Sequence, residues 1–194
     1  MKIGVLALQG AFIEHSKMLT CLGAVAVEVR LPHQLAGLDG LIIPGGESTT
    51  IGKLASAYGL IDPLRQFAAA KPTWGTCAGM IFLAKDIGRQ QPILGAMDIT
   101  VDRNAFGRQI DSFETGLTIA ELGDPPFHAV FIRAPVVTAV EAPVAVLARL
   151  DDGRIVAVRQ GHLLATAFHP ELTDDLRLHS YFCSIVKCTQ QSQP

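Results

Sequence analysis

"KPTWGTCAGMIFLA", residues 71–84, sets one cysteine between two glycines where an apolar run gives way to a helix-like one. "PTWGT" (72–76) reads as a strand and residues 78–85 as the helix it feeds, which leaves Cys77 at the joint. A strand running straight into a helix must bend sharply. Gly75 and Gly79 remove the side chains that would collide at that bend. The same β–α alternation occupies the chain upstream. "IGVLAL" (3–8) is a continuous apolar run of the kind buried on both faces of a parallel sheet, and a helical segment over 11–22 follows, stopped by Gly23. "AVAVEV" (24–29) and "GLIIP" (40–44) read as strands. A helix over 49–58 carries Ile51, Leu54, Ala55 and Tyr58 at one-face spacing, with Gly59 as its stop. The pattern predicts an α/β fold, a single-domain three-layer open sheet, mostly parallel, with helices on both faces.

The second half changes character. Residues 93–168 contain the β-like runs "DITV", "LTIAEL", "AVFIRA", "AVLARL", "RIVAVRQ" and "LLATAF", with "DDG" (151–153) as a hairpin turn. Additional antiparallel strands are therefore expected. A helix over 174–186 closes the chain, with Leu178, Tyr181, Phe182 and Ile185 on one face and Thr173 as its N-cap. No repeat or linker divides the chain. Residues 1–188 read as one domain and 189–194 as a polar tail that frays.

Composition narrows the class of function. A chain of 194 residues, 49% hydrophobic and 18% charged, has room for one well-packed core and is short for two. A net charge of -2 without Lys/Arg clusters argues against nucleic acid or an anionic membrane as partner. No apolar stretch approaches the ~20 residues of a membrane-spanning helix, and "MKIGVLALQGAFIEH" lacks a signal-peptide cleavage site, so a cytoplasmic protein is expected. Cys21, Cys77, Cys183 and Cys188 are scattered and form no disulfide framework. Cys183 and Cys188 lie near His179, which makes a metal site conceivable. An apolar helical pattern around Cys183 and a polar tail around Cys188 favour structural roles, and no metal is expected.

The chemistry centres on Cys77. G-x-C-x-G is the cysteine counterpart of a nucleophile elbow, and it puts the sulfur at a helix N-terminus, where the macrodipole and unpaired N–H groups favour thiolate. The competing reading is a small buried residue at a tight glycine turn. A thiolate nucleophile needs a base, and the base needs an orienting group. "AFHPEL" supplies both, because in extended chain His169 and Glu171 point the same way, about 6.6 Å apart along the strand. None of the other five histidines has an acidic residue two positions on. The third element is "IIPGGESTT" (42–50), whose glycines let backbone N–H groups turn inward as an oxyanion donor, with the N–H of Ala78 as a second. A phosphate loop is its rival, but G-x-x-x-x-G-K-[ST] is absent and Glu47 would repel phosphate. Taken alone, this loop is better read as plain turn chemistry.

Together these motifs resemble the class I glutamine amidotransferases, which use Cys, His and Glu in this chain order. "LALQGAFIEH", "PGGESTT", "GTCAG", "RNAFGRQIDSFE", "FIRAP" and "FHPELTDD" are similar to those of the glutaminase subunits of pyridoxal 5′-phosphate synthases, from residue 6 to 175. The resemblance implies a flavodoxin-like fold with Cys77 as nucleophile and His169 and Glu171 as its relay pair. It implies that Gly46, Glu47 and Ser48 hold L-glutamine, that the Gly46 N–H faces the oxyanion, and that Arg103, Ile132 and Arg133 complete the site. No metal or organic cofactor is needed. The implied partner is the ammonia-accepting synthase subunit, toward which the region of Gln9 and Glu14 lies in the family. An amidotransferase of another pathway would not need "RNAFGRQ" and "FIRAP" together, and an idle relative would have no reason to keep all three triad residues.

Overall fold

Strand and helix alternate through the first 83 residues of the computed structural model, which describes residues 1–103 and 112–191. The order is β1 (Lys2–Leu6), α1 (Phe12–Cys21), β2 (Val25–Val29), β3 (Gly40–Ile43), α2 (Ser48–Ala57), α3 (Ile61–Ala70), β4 (Thr73–Thr76) and α4 (Ala78–Leu83). The later strands are β5 (Ala84–Asp86), β6 (Met97–Asp102), β7 (Ser112–Leu117), β8 (Phe127–Ile132) and β9 (Val136–Val140). β10 (Ala145–Arg149), β11 (Ile155–Gln160) and β12 (Leu163–Thr166) precede the closing helix α5 (Arg177–Gln191). One-turn 3₁₀ segments lie at Pro32–Leu35 and Pro170–Leu172.

Among the described residues ten strands share one sheet, and β7 and β8 form a separate antiparallel pair. The order β2-β1-β3-β4-β12 is parallel throughout. From β12 the sheet continues antiparallel through β11, β9 and β6, with β10 on β11 across the 151–153 turn. This parallel order with a doubly wound sheet is the flavodoxin-like arrangement that the resemblance implies, extended by antiparallel strands. β3, β4 and β12 are buried at every position, which is why they read as unbroken apolar or small-residue runs. β6 and β8 alternate buried with more exposed positions, as strands with one wetter face must.

β4 shows how the two faces are covered. Trp74 is fully buried against α5, with its ring centroid 4.9 Å from that of His179 and 5.6 Å from that of Phe182. The next residue points to the opposite face, where a Cβ on Gly75 would come within 2.4 Å of the Gly79 backbone in α4. Helix α4 thus packs on one face of β4, and α5 with α1 on the other.

Several boundaries differ from the sequence expectation. Helix α3 was not anticipated, because Pro63 interrupts its pattern. In the first turn, however, a missing N–H costs no helical hydrogen bond, and Leu64, Phe67 and Ala68 bury the resulting face. Helix α4 stops at Leu83 rather than 85, because Ala84–Asp86 pairs with β6. Of the "LTIAEL" run only Leu117 is in a strand, and residues 120–122 are turn. The rest of that strand, β7, precedes the run, while Ile119 is buried without strand geometry. β9 also went unread. Helix α5 begins at Arg177, since Thr173 accepts the Asp175 N–H and Asp175 in turn accepts the Arg177 N–H at 3.0 Å. It then continues to Gln191, through the first part of the expected tail.

Candidate active site

β1, β3, β4 and β12 run parallel, so the segments leaving their carboxyl ends gather on one edge of the sheet. Gln9 follows β1, Gly45 and Gly46 follow β3, Cys77 follows β4 and His169 follows β12. Gln9, Gly46, Cys77 and His169 line a cavity of about 400 Å³ together with Glu47, Ser48, Ala78, Ile81, Arg103, Ile132 and Arg133. That volume suits a small molecule.

Cys77 sits at φ 47°, ψ -104°, and Arg133 at φ 42°; they are the non-glycine residues with positive φ among those described. Both face the cavity, and strain of this kind gathers where side chains must be aimed. The bend is held by the Cys77 N–H to the Thr166 carbonyl at 2.8 Å and the Met80 N–H to the Cys77 carbonyl at 3.1 Å. Glycine is required around it for close approach. A Cβ on Gly79 would stand 2.0 Å from the Ile43 carbonyl oxygen. A Cβ on Gly45 would stand 2.4 Å from His169 Cε1 and 3.3 Å from Cys77 Cβ, which puts both side chains against one glycine.

His169 Nδ1 lies 2.7 Å from Glu171 Oε1, with the carboxylate wholly buried and the ring nearly so. Burial works against a charged ring, but the hydrogen bonds to Cys77 and Glu171 and the negative charge of both outweigh it, pushing the His169 pKa up to about 10. With Nδ1 committed to Glu171, Nε2 is the nitrogen left for the sulfur. The thiol also faces the Ile132 carbonyl oxygen, 3.9 Å away.

Glu47, Ser48 and Arg103 of the lining belong to a polar network. Glu47 caps α2, accepting from Thr49 N–H at 3.1 Å and from Thr50 N–H and hydroxyl at 2.7 and 2.8 Å. Partial burial raises its pKa, but the Thr50 and Thr49 hydrogen bonds prevail and lower it to about 2. Arg103 donates to Glu47 at 3.2 Å, to Thr49 at 3.3 Å and to Gln91 at 2.9 Å. Gln91 reaches Ser48 in turn at 3.4 Å. Gln91 was not foreseen, because a glutamine in an irregular loop carries no local signal. Gln9 accepts the Glu47 N–H at 2.7 Å and so helps build the cavity. Glu14 lies on α1. The rest of the "RNAFGRQ" motif lies outside the described residues.

Elsewhere, Cys183 is buried in α5, Cys188 is exposed and His179 is turned to His15. Among the described residues no group of three His, Cys, Asp or Glu side chains could hold a metal ion, and no helix is long and apolar enough to cross a membrane.

The model of the SNO glutamine amidotransferase family matches residues 5–188. The chain belongs to that family. A pyridoxal 5′-phosphate synthase subunit PdxT of Herpetosiphon aurantiacus is 63% identical over 190 residues, covering 95% of this chain and 100% of that protein. The subunit of the same name from Moorella thermoacetica is 60% identical over 188 residues, covering 96% and 100%. A solved glutamine amidotransferase superposes with a TM-score of 0.90 at 53% identity, over 95% of this chain and 98% of the other. Family membership and the cavity's chemistry agree, since a cysteine, a histidine and a glutamate meet where the parallel strands end.

Proposed function

We propose that the chain hydrolyses L-glutamine at Cys77 and delivers the ammonia to a partner synthase subunit that makes pyridoxal 5′-phosphate. The observation that carries this reading is the meeting of Cys77 and His169 at the cavity wall, with Glu171 buried behind and His169 held between sulfur and carboxylate. The high identity to PdxT subunits along nearly the whole chain supports the choice of partner.

The steps follow from the groups present. The Cys77 thiolate attacks the side-chain amide carbon, and the carbonyl π pair moves onto oxygen. The N–H groups of Gly46 and Ala78, both at the cavity beside Cys77, take up the oxyanion. His169 gives its proton to the amide nitrogen, the C–N bond breaks and ammonia leaves a γ-glutamyl thioester. Water then loses a proton to His169 and attacks that thioester. The C–S bond breaks, and glutamate is released. Glu171 keeps the ring in one tautomer throughout. Glu47, Ser48, Arg103, Ile132 and Arg133, all lining the cavity, hold the amino-acid head of the substrate. Neither a metal nor an organic cofactor enters these steps.

A cytoplasmic setting belongs to this reading, because thiols stay reduced in that compartment and all four cysteines lie outside disulfides. The test is glutamine-dependent ammonia release, expected to be weak for the chain alone and to rise when the synthase subunit is added. Cys77→Ala should abolish it, and activity surviving in that variant would remove the nucleophile.

A further inference from the structure

Behind the triad a second polar chain runs into the core. Glu171 Oε1 faces His169, while Oε2 turns inward and lies 3.3 Å from His15 Nε2, both side chains being fully buried. That contact is close but not aligned as a hydrogen bond, and the same His15 nitrogen lies 3.2 Å from the Thr76 hydroxyl. The other His15 nitrogen, Nδ1, is 2.9 Å from Nε2 of His179, which is itself buried. His179 Nδ1 is buried with no hydrogen-bond partner. Both rings pack edge-on to Trp74, at 5.7 and 4.9 Å between centroids. Four separate elements, α1, β4, the 170–172 turn and α5, each contribute one polar side chain to this line.

The proton positions can be derived. Burial holds both histidines neutral, lowering His15 well below the ordinary range and His179 to about 3. Each ring therefore carries one N–H. If His15 bore it on Nδ1, its bare Nε2 would face a carboxylate oxygen, and His179 would have to leave an N–H buried without an acceptor. Both are costly. If His179 donates from Nε2 instead, His15 accepts at Nδ1 and turns its own N–H toward Thr76 and Glu171. The orphan is then a bare acceptor on His179, the cheaper one to leave unpaired. We infer that His15, fixed as the Nε2–H tautomer by His179, is a positioning residue that holds the Glu171 carboxylate in place for His169. Its N–H dipole offsets charge on an oxygen that no solvent reaches, and so fixes which way the carboxylate faces.

This inference rests on the glutaminase reading. It is tested on the full chain with the synthase subunit added, using Cys77→Ala as the control for that reading. His15→Leu keeps the apolar packing but removes the N–H. It should lower kcat roughly 10- to 100-fold, the range typical of residues that orient a histidine partner, and leave KM for glutamine nearly unchanged. His15→Gln, whose amide N–H reaches the same point, should restore most of the rate. An unchanged kcat in His15→Leu, or no rescue by glutamine, overturns the inference while Cys77→Ala remains inactive. Should Cys77→Ala stay active, the glutaminase assignment falls instead. A readout independent of activity and of variant folding is nitrogen NMR of histidine-labelled wild-type protein. Both His15 and His179 should be neutral Nε2–H tautomers near neutral pH. An Nδ1–H or doubly protonated His15 overturns the inference.

Discussion

At the scale of single residues, the site depends on atoms that are missing as much as on atoms present. Gly79 has the backbone of β3 where a methyl group would go, 2.0 Å from the Ile43 carbonyl. Gly79→Ala should therefore lower unfolding free energy by about 3 kcal/mol, measured by urea denaturation, because the clash is with backbone that cannot swing aside. Glu171 has the opposite character, since its charge and not its volume matters. Glu171→Gln should fold, yet lose roughly a hundredfold in kcat in the ammonia-release assay, because an amide can present the wrong atom to His169 Nδ1. Little change in rate would mean that the orientation of His169 is set elsewhere. The glycine-flanked bend at Cys77 and the His-Pro-Glu spacing were legible in sequence because each is local to a few residues, whereas the approach of Gly79 to β3 and of Gly45 to His169 came only with the fold. His15, Thr76 and His179 were not legible either, since a histidine in an amphipathic helix looks the same whether it meets a carboxylate or a hydrocarbon.

At the scale of elements, α2 joins stability to the site. Its N-cap is Glu47, whose carboxylate accepts two backbone N–H groups and also receives Arg103. Removing it in Glu47→Ala should cost about 1 kcal/mol of stability from the lost cap, seen as a lower urea midpoint. The same change should raise KM for glutamine, because Arg103 loses the carboxylate that holds it at the cavity wall. A stability loss without a KM change would separate the capping role from the binding one. The helix was anticipated from its one-face spacing, but the role of its cap was not. Helix α3 and strand β9 passed unread for a related reason. Proline at the third helical position breaks the pattern without breaking the helix, and "VVTAV" gains its strand from pairing with β6 and β11.

Across the whole molecule, three buried histidines bend the pH dependence of stability in opposite directions. His15 and His179 have lowered pKa values in the fold, so the unfolded chain binds protons there that the native state refuses. Their contribution is complete above an unfolded value of 6.5 and falls away as pH drops toward the folded value, about 3 for His179. Glu47, depressed to about 2, adds to the loss below 4.5. His169, raised to about 10, contributes fully below 6.5, and that contribution is lost as pH climbs toward 10. Stability should therefore peak near neutrality and decline on both flanks, as read from urea midpoints taken between about pH 4 and pH 10. A profile flat on the alkaline side would remove the charged His169 from the folded protein, and one flat on the acid side would remove the neutral pair.

The sequence by itself determined the alternation of buried strands with helices, the sharp bend at Cys77 and the pairing of His169 with Glu171, because each is written in residues that touch along the chain. Its motifs also carried the family resemblance. Only the tertiary structure decided that residues 92 positions apart, 77 to 169, share a cavity. Strand β12 lies parallel to β4 with Thr166 opposite Thr76, so the segments leaving both strands emerge side by side, about 4.8 Å apart at the strand ends. Only the fold, too, set two histidines from the first and last helices behind the carboxylate. Strand pairing and helix docking are settled by the burial of whole faces, and no short stretch of chain contains that information.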